Sequence, residues 1–215
     1  MKALVLDAAA NCMTIAAKND DIKATLSLDM GQKQSQKLLP AIDCVLSQVE
    51  LKPSELEYAA LTGGPGTFTG LRLAFSALKA IGLSHGVPLY AVPTLDCYAF
   101  PYQNFDGLVV SVIDAKKDQF FAAIYQHGAA VLPAEDTNAA RIADSLTHLG
   151  ADSDGIIVVG PDAAVFADAL RAERPTLPLR VPASQPSATG ALFRIAEGMI
   201  AQKKEPLKDY DGPIY

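Results

Sequence analysis

The segment from Gly63 to Arg72 constrains the fold of this chain more than any other part of the sequence. Four glycines and one proline fall within the eight residues 63–70. Glycine permits positive φ angles and close approach of backbones, whereas proline fixes its own φ. The segment follows a short apolar run at 58–62 and precedes a longer one that reaches Leu83. The pattern therefore predicts a strand, a tight loop and a helix in that order.

Glycine-rich loops of this kind often present backbone N–H groups to an anion, but the neighbouring residues do not complete a known motif. A nucleotide P-loop needs Gly-Lys-Ser/Thr at the helix start, and here Gly70 is followed by Leu71 and Arg72. A nucleophile elbow needs Gly-x-Ser-x-Gly, which is also absent. Thr67 or Thr69 is placed to cap the helix. Two interpretations stay open: a structural turn, or a loop that faces a ligand or a partner.

Hydrophobic patterning in the first half of the chain predicts an α/β unit. Three strands are expected at 3–8, 13–18 and 22–28, and Asn19-Asp20-Asp21 is a hairpin turn between the last two. Pro40 must lie in the first turn of the following helix or kink it. The remaining expected elements are a helix at about 34–50, a strand at 57–62, a helix at about 70–85 and a strand at 89–92. This order of elements is typical of the ribonuclease-H-like fold.

A second run of elements begins after a joint at 102–107 and repeats the pattern of the first. Each half opens with an apolar strand that ends in aspartate, Leu6-Asp7 in one and Ile113-Asp114 in the other. This echo predicts two duplicated lobes. The expected elements are strands at 108–114, 119–125 and 156–159 and helices at 138–149, 162–172 and 188–202. The expected domains are an N-terminal lobe at 1–105, a smaller lobe at 106–187, and a C-terminal helix and tail at 188–215 that pack back on the N-terminal lobe.

The predicted helix at 70–85 is apolar around nearly its whole circumference. Its polar residues Arg72, Ser76 and Lys79 fall on one narrow stripe. An ordinary surface helix has an apolar stripe of only about 100° or somewhat more. The helix is therefore either buried at the centre of its own domain or covered on a second side by another chain. If it is an interface, a Leu78→Asp variant should stay folded; if it is a buried core helix, the variant should unfold.

Composition limits the partners and the compartment. The chain has 50% hydrophobic and 20% charged residues, which is ordinary for a globular protein, and a formal net charge of −6. Its basic residues are scattered, so a role on RNA would need a partner to supply the electrostatic contacts. No apolar run approaches a membrane span, and Asp7 comes too early for a signal peptide. The expected location is the cytoplasm.

The residues that most often carry catalysis or bind metal give weak signals. The three cysteines are widely spaced without a Cys-x-x-Cys pair and are expected to be buried thiols. The three histidines lack metal-site spacing, so no metal site and no catalytic residue is expected.

Asp7 ends the first strand, where actin-like ATPases and sugar kinases keep an acidic residue near phosphate. Ala8-Ala9-Ala10 offers few hydrogen-bond donors, so Asp7 is only a weak candidate for a cofactor site. Gly64 and Gly66 are weak candidates for the same site. Asp114 is expected to make a strand-end hydrogen bond.

The segment 64–72 also carries a family resemblance. It resembles the Gly-Pro-Gly-Ser/Thr-Phe-Thr-Gly-Val/Leu-Arg signature of the TsaB (YeaZ) family, the bacterial accessory subunits of the tRNA threonylcarbamoyladenosine machinery. Weaker matches follow in the right order at 3–7, 34–40, 87–95 and 112–116. The sequence departs from the family at Gln34 and Lys116, where many relatives have His and Arg.

The resemblance implies an α/β chain with the actin-like ATPase fold, in two lobes whose mixed sheets are flanked by helices. It implies a non-catalytic subunit that docks on its catalytic paralogue TsaD, with the ATPase TsaE as a third member and tRNA contacted only through the complex. It also implies a homodimer when the chain is alone, and no cofactor of its own beyond a nucleotide at the boundary with its partner. An actin-like ATPase or kinase and a metallopeptidase-like enzyme are the alternatives.

In this family the two N-lobe helices pack against those of TsaD or of a second copy as a helical bundle. The interface residues expected here are Gln34, Leu38, Thr67, Phe68, Leu71, Arg72, Ala74, Phe75 and Leu78.

Overall fold

The computed structural model describes residues 1–29, 34–117, 119–150 and 155–214. The chain divides into two compact units, one made of Met1–Cys97 and Ser187–Tyr215 and the other of Tyr98–Pro186. None of the helices formed by these described residues is long and apolar enough to cross a membrane.

The first unit is built on a five-stranded sheet in the order β3-β2-β1-β4-β5. Strands β1 to β3 are antiparallel, and β4 and β5 run parallel to β1. The five strands are β1 (Lys2–Asp7), β2 (Cys12–Asn19), β3 (Ile22–Asp29), β4 (Tyr58–Thr62) and β5 (Leu89–Val92). Helices α1 (Gln34–Gln48) and α2 (Phe68–His85) share one apolar core with this sheet. Helix α6 (Ala188–Ala201) contacts β1, β4 and β5.

The second unit is built on a sheet in the order β10-β9-β6-β7-β8. Its core is apolar and includes an edge-to-face contact between the rings of Phe120 and Phe166, whose centroids are 4.7 Å apart. The strands are β6 (Leu108–Lys116), β7 (Gln119–Gln126), β8 (Ala129–Thr137), β9 (Ile156–Val159) and β10 (Leu179–Arg180), and the helices are α4 (Ala139–His148) and α5 (Ala163–Glu173).

The predicted duplication is confirmed by the strand orders. In each sheet the first three strands along the chain form an antiparallel meander, and two further strands add parallel to the first strand on its other side. Two sequence segments with different side chains therefore form the same mixed sheet.

Some elements differ from the sequence prediction. Helix α2 begins at Phe68, and Pro40 lies inside α1, beyond its first turn. Strand β8 was not predicted, and it contains Pro133, which cannot donate a hydrogen bond to a ladder. The strand is possible because β8 is an edge strand and its pairing with β7 is irregular in this region. The short helix α3 (Thr94–Ala99) and strand β10 were also not predicted.

A partly buried ion pair joins α6 to the sheet of the first unit. The ammonium of Lys18 on β2 binds the carboxylate of Glu197, which also accepts a hydrogen bond of 3.2 Å from the hydroxyl of Tyr58. Burial alone would raise the pKa of the Glu197 carboxyl, but the hydrogen bond and charge of Lys18 lower it below its ordinary value. Burial raises the pKa of the Tyr58 hydroxyl, so it stays a neutral donor.

A Glu197→Gln variant is expected to lower the free energy of unfolding at pH 7 by about 2 kcal/mol, because it leaves the Lys18 charge nearly buried without its counter-ion. Since the pKa of Glu197 is lowered by folding, its stabilisation is present above the unfolded value of about 4.3 and is lost as the pH falls through the folded value. Urea unfolding between pH 7 and pH 3 should show the two proteins converging at low pH. Glu205→Gln, on an exposed pair, should change little; a constant gap at all pH values would contradict the account.

Candidate functional site

The glycine-rich loop leaves β4 at Thr62 and is first held against the end of β5. The N–H of Gly63 donates to the carbonyl of Val92 over 2.7 Å, and the N–H of Thr94 donates to the carbonyl of Gly64 over 2.9 Å. The N–H of Gly64 donates in turn to the Thr94 hydroxyl over 3.1 Å. Gly64 has a φ of +111° and precedes a cis peptide bond to Pro65. The first half of the loop is thus fixed by hydrogen bonds within its own unit.

The second half of the loop packs on the turn between β1 and β2. The N–H of Thr67 donates to the carbonyl of Ala9 over 2.7 Å, and its hydroxyl donates to the carbonyl of Ala8 over 3.3 Å. A Cβ atom on Gly66 would lie 2.7 Å from the Ala9 carbonyl oxygen, and one on Gly70 would lie 2.1 Å from the Ala8 carbonyl oxygen. These two glycines are required because the backbones approach so closely.

The prediction that Thr67 or Thr69 is placed to cap α2 is right for the position of Thr67, but the side-chain hydrogen bond typical of a cap is absent. Thr67 occupies the N-cap position but makes no side-chain cap hydrogen bond, because its hydroxyl is turned towards Ala8. Thr69 lies within the helix. The threonine therefore fastens the loop to the β1–β2 turn instead of satisfying the first N–H groups of the helix.

The carboxylate of Asp7 is also engaged within the first unit. It is nearly buried and accepts hydrogen bonds from the N–H of Ala9 over 3.1 Å and from the hydroxyl of Thr62 over 3.0 Å. These bonds join the end of β1 to the end of β4 and shape the turn on which the glycine-rich loop rests.

Burial raises the pKa of the Cys97 thiol, and the charges of Asp7 and Asp96 add to this effect. Cys97 is therefore a protonated, unreactive thiol.

The corresponding aspartate of the second unit lies near the end of β6. Its carboxylate accepts hydrogen bonds from the backbone N–H of Lys116 over 2.7 Å and from the Lys116 ammonium over 2.6 Å. These hydrogen bonds lower the pKa of Asp114. The backbone N–H of Asp114 donates to the carboxylate of Asp162 over 2.8 Å. The expected strand-end hydrogen bond of Asp114 is thus present, together with an exposed ion pair.

Helix α2 buries one side in the core of the first unit and exposes the other. Leu78 is fully buried, so a charged residue at this position would destabilise the core of the first unit. The exposed side begins with Phe68, which keeps 53% of its surface accessible, and the Arg72 guanidinium lies 3.8 Å from the centre of its ring. Ser76 is exposed one turn further along, and Leu83 is 69% exposed near the C-terminal end. An apolar and basic surface therefore runs along α2.

Helix α1 lies beside α2 on the same face of the sheet. The Gln34 amide donates to the carbonyl of Asn11 over 2.6 Å, and Leu39 keeps 59% of its surface exposed. Among the expected interface residues, four reach the surface at least in part: Gln34, Thr67, Phe68 and Arg72. Five are buried in the first unit: Leu38, Leu71, Ala74, Phe75 and Leu78. We call the exposed sides of α1 and α2 the helical face.

The C-terminal tail, which was expected to pack back on the N-terminal lobe, includes residues 205–214, which we call the C-terminal strap. The strap has no regular secondary structure, yet it lies along α2 and ends at the glycine-rich loop. The Lys79 ammonium donates to the backbone carbonyls of Asp209, over 2.7 Å, and of Asp211. The N–H of Ile214 donates to the carbonyl of Gly63 over 2.8 Å. No periodic pattern marks this polar segment, so only its position in the fold identifies it.

The other titratable candidates are dispersed. The expectation of buried thiols is right for Cys97 and wrong for Cys12 and Cys44, which are exposed. The histidines are exposed on three separate elements or turns, at positions 85, 127 and 148. Within the ranges that the structure describes, no three His, Cys, Asp or Glu side chains are grouped so that they could hold a metal ion.

Comparison with known proteins gives consistent matches. A model of the protein family described as "TsaD: tRNA N6-adenosine threonylcarbamoyltransferase" matches residues 29–158. The tRNA threonylcarbamoyladenosine biosynthesis protein TsaB of Bacillus subtilis is 26% identical over 168 residues, which cover 77% of this chain and 73% of that protein. The solved structure of YeaZ from Pseudomonas aeruginosa has a TM-score of 0.80 at 22% identity, covering 100% of this chain and 99% of that one.

A more distant structure supports the fold assignment. A Bacteroides thetaiotaomicron protein described as having an actin-like ATPase fold and unknown function has a TM-score of 0.55 at 7% identity, and the match covers 90% of this chain and 95% of that one. The predicted fold class is therefore confirmed: two mixed sheets flanked by helices, in the actin-like ATPase fold.

Proposed function

The chain belongs to the TsaD family, described as tRNA N6-adenosine threonylcarbamoyltransferase, and we propose that it is a non-catalytic subunit that docks on the catalytic protein TsaD. Its similarity to TsaB of Bacillus subtilis makes it a TsaB-family protein of tRNA threonylcarbamoyladenosine biosynthesis. The partners proposed for it are TsaD and the ATPase TsaE, with a homodimer formed when the chain is alone and tRNA contacted only through the complex. We propose a cytoplasmic location for the assembly.

One observation carries the proposal of a non-catalytic role: the glycine-rich loop is fastened onto the turn that follows β1. An actin-like ATPase needs free backbone donors at this turn to hold phosphate. Here the backbone N–H of Ala9 already donates to the Asp7 carboxylate, and the backbone N–H of Thr67 already donates to the carbonyl of Ala9. The N–H groups of Gly63 and Gly64 are likewise directed inward. The loop thus positions α2 and does not present a phosphate cradle.

The helical face supports the docking part of the proposal. Leu39, Phe68 and Leu83 each expose more than half of their surface on α1 or α2. Exposed apolar side chains on neighbouring helices are typical of protein interaction sites. Arginine and aromatic residues often dominate such sites energetically, and Arg72 and Phe68 already form a cation–π pair there. A helix pair of TsaD, or of a second copy of this chain, would complete a four-helix arrangement on this face.

The acidic net charge fits a supporting role on tRNA. A chain with a net charge of −6 would be repelled by the phosphate backbone unless a partner supplied the basic contacts. We therefore place the tRNA contacts on the assembly and not on this chain alone. A nucleotide, where one takes part, is proposed to bind at the boundary with TsaD, since the N–H groups of Gly63, Gly64 and Thr67 donate within the first unit.

The proposal is tested by reconstituting tRNA threonylcarbamoylation with tRNA, threonylcarbamoyl-AMP as the donor of the group, and purified TsaD and TsaE from the same organism. Omitting this chain should lower the rate of modification at least tenfold, and adding it back should restore the rate at equimolar ratio to TsaD. Calorimetry of the isolated chain with Mg-ATP should give no saturable binding. Full activity without the chain would contradict the docking role, and tight Mg-ATP binding with hydrolysis by the chain alone would favour an actin-like ATPase.

A further inference from the structure

We propose that the C-terminal strap is a removable cover on helix α2, which opens from Lys208 onwards and is held closed by the Lys79 ammonium. The strap runs beside the flank of α2 formed by Arg72, Phe75, Ser76 and Lys79, of which Arg72 and Ser76 stay exposed. A cavity of about 410 Å³ lies between this flank and residues 211–213 of the strap.

The anchors of the strap are uneven along its length. At its start, Leu207 packs against the apolar core and its N–H donates to the carbonyl of Leu89 over 2.7 Å. Beyond Leu207, the large apolar side chains point outward, with Tyr210 81% exposed and Ile214 70% exposed. Few apolar contacts and mainly exposed hydrogen bonds are the marks of a segment that opens locally. The strap is therefore firmly held at Leu207 and weakly held after it.

Lys79 supplies the central attachment. Its ammonium binds two backbone carbonyls of the strap, those of Asp209 and Asp211. The end of the strap is held by the hydrogen bond from the Ile214 N–H to Gly63. Hydrogen bonds to a charged donor are stronger than neutral ones, so Lys79 is the main determinant of the closed state.

The strap and helix α2 carry opposite net charges, in addition to the hydrogen bonds from Lys79 to the backbone of the strap. Residues 205–214 contain three acidic residues and one lysine, whereas α2 contains Arg72 and Lys79 and no acidic residue. The opposite charges favour contact between the strap and this basic side of α2, where two backbone carbonyls of the strap accept hydrogen bonds from Lys79. On the basis of the function proposed above, a helix of TsaD that docks on α2 would displace the strap, so that opening and docking are linked.

Hydrogen exchange of the isolated, full-length chain tests the cover directly. A Lys79→Met variant should increase the exchange rate of the Asp211 and Ile214 amides about tenfold to a hundredfold, while amides of the sheet in the first unit keep their rates. Lys208→Met is the matched control, because the ion pair that its ammonium forms with Glu205 is exposed and long, at 4.0 Å. Unchanged exchange of the strap in Lys79→Met, or an equal increase throughout the first unit, would overturn the proposal.

An Ile214→Pro variant separates the cover from the docking surface. It removes the N–H that binds Gly63 and leaves every side chain of α2 in place. We expect this variant to bind TsaD severalfold more tightly than the wild-type chain, because the closed state no longer competes with docking. Weaker or equal binding would overturn the link between opening and docking. Failure of the wild-type chain to bind TsaD at all would instead contradict the proposed function, and the exchange experiment would still decide whether the strap opens.

Discussion

A Leu78→Asp variant is expected to lose the folded structure of the first unit at 25 °C. Leu78 is fully buried in the cluster shared by α1, α2 and the sheet. The substitution removes the packing of a buried leucine and places a carboxylate in an apolar site, which together cost more than about 4 kcal/mol. This is a large part of the 5–15 kcal/mol by which a domain is typically stable. Circular dichroism and urea unfolding would show the loss.

Ser76→Asp is the matched control for this prediction. Ser76 lies two residues before Leu78 on the same helix, but its side chain is exposed. The new carboxylate would lie one turn from Arg72 and Lys79, so helix stability should be unchanged or slightly higher. A folded Leu78→Asp variant would show that α2 is not the core helix seen here. The pair of variants therefore separates the buried side of α2 from its exposed side.

A Gly70→Ala variant is expected to lower the free energy of unfolding by about 3 kcal/mol, although alanine is the better helix former. The cause is the Ala8 carbonyl oxygen, which would lie 2.1 Å from the new Cβ atom. Because the obstacle is backbone, α2 or the β1–β2 turn must move. Thermal unfolding and the amide spectrum of residues 8–10 would report both effects.

Gly190→Ala provides the contrast on another helix. Gly190 lies in α6, and a Cβ atom there meets nothing within 4 Å. Alanine should therefore raise the stability by about 0.5–1 kcal/mol through its lower backbone entropy in the unfolded chain. If Gly70→Ala also raised the stability, the close contact between the glycine-rich loop and the β1–β2 turn would be contradicted.

Hydrophobic periodicity predicted most of the strands and helices, because each buries one regular face. The prediction from periodicity failed for two strands. Edge strand β8 contains Pro133, which is unusual in a strand, and β10 has two residues, too few to show a period. The tail was expected to pack on the N-terminal lobe, but the path of the strap along α2 was not predicted, for a different reason. Its hydrogen bonds join Lys79 to Asp209 and Ile214 to Gly63, and such contacts between distant, irregular segments leave no local signal.

The candidate site was only partly readable from the sequence. Its glycines indicated a tight loop, but not that Gly66 and Gly70 meet the turn at Ala8 and Ala9. The apolar circumference of α2 suggested two covered sides without showing which residues face the sheet. One signal was available: Leu71, Ala74, Phe75 and Leu78 follow the spacing i, i+3, i+4 and i+7, which is typical of the core side of a helix.

This division of α2 gives the helix two separate roles. Its buried side holds the first unit together, and its exposed side, from Phe68 to Leu83, is the surface that contacts another protein in the proposed function. The glycine-rich loop fixes where the helix starts, through Thr67 and the turn after β1. A loop that resembles a phosphate cradle in sequence thus serves, in the proposed function, to orient a docking helix.

Formation of a complex between TsaD and Ser76→Asp tests the central claim most directly. Size-exclusion chromatography with light scattering should show a stable complex for the wild-type chain and none for Ser76→Asp, because the carboxylate lies at the middle of the helical face. Ala172→Asp adds the same charge to an exposed site on α5 and should bind like the wild-type chain. A folded Ser76→Asp variant that still forms the complex with unchanged affinity would contradict docking through α2.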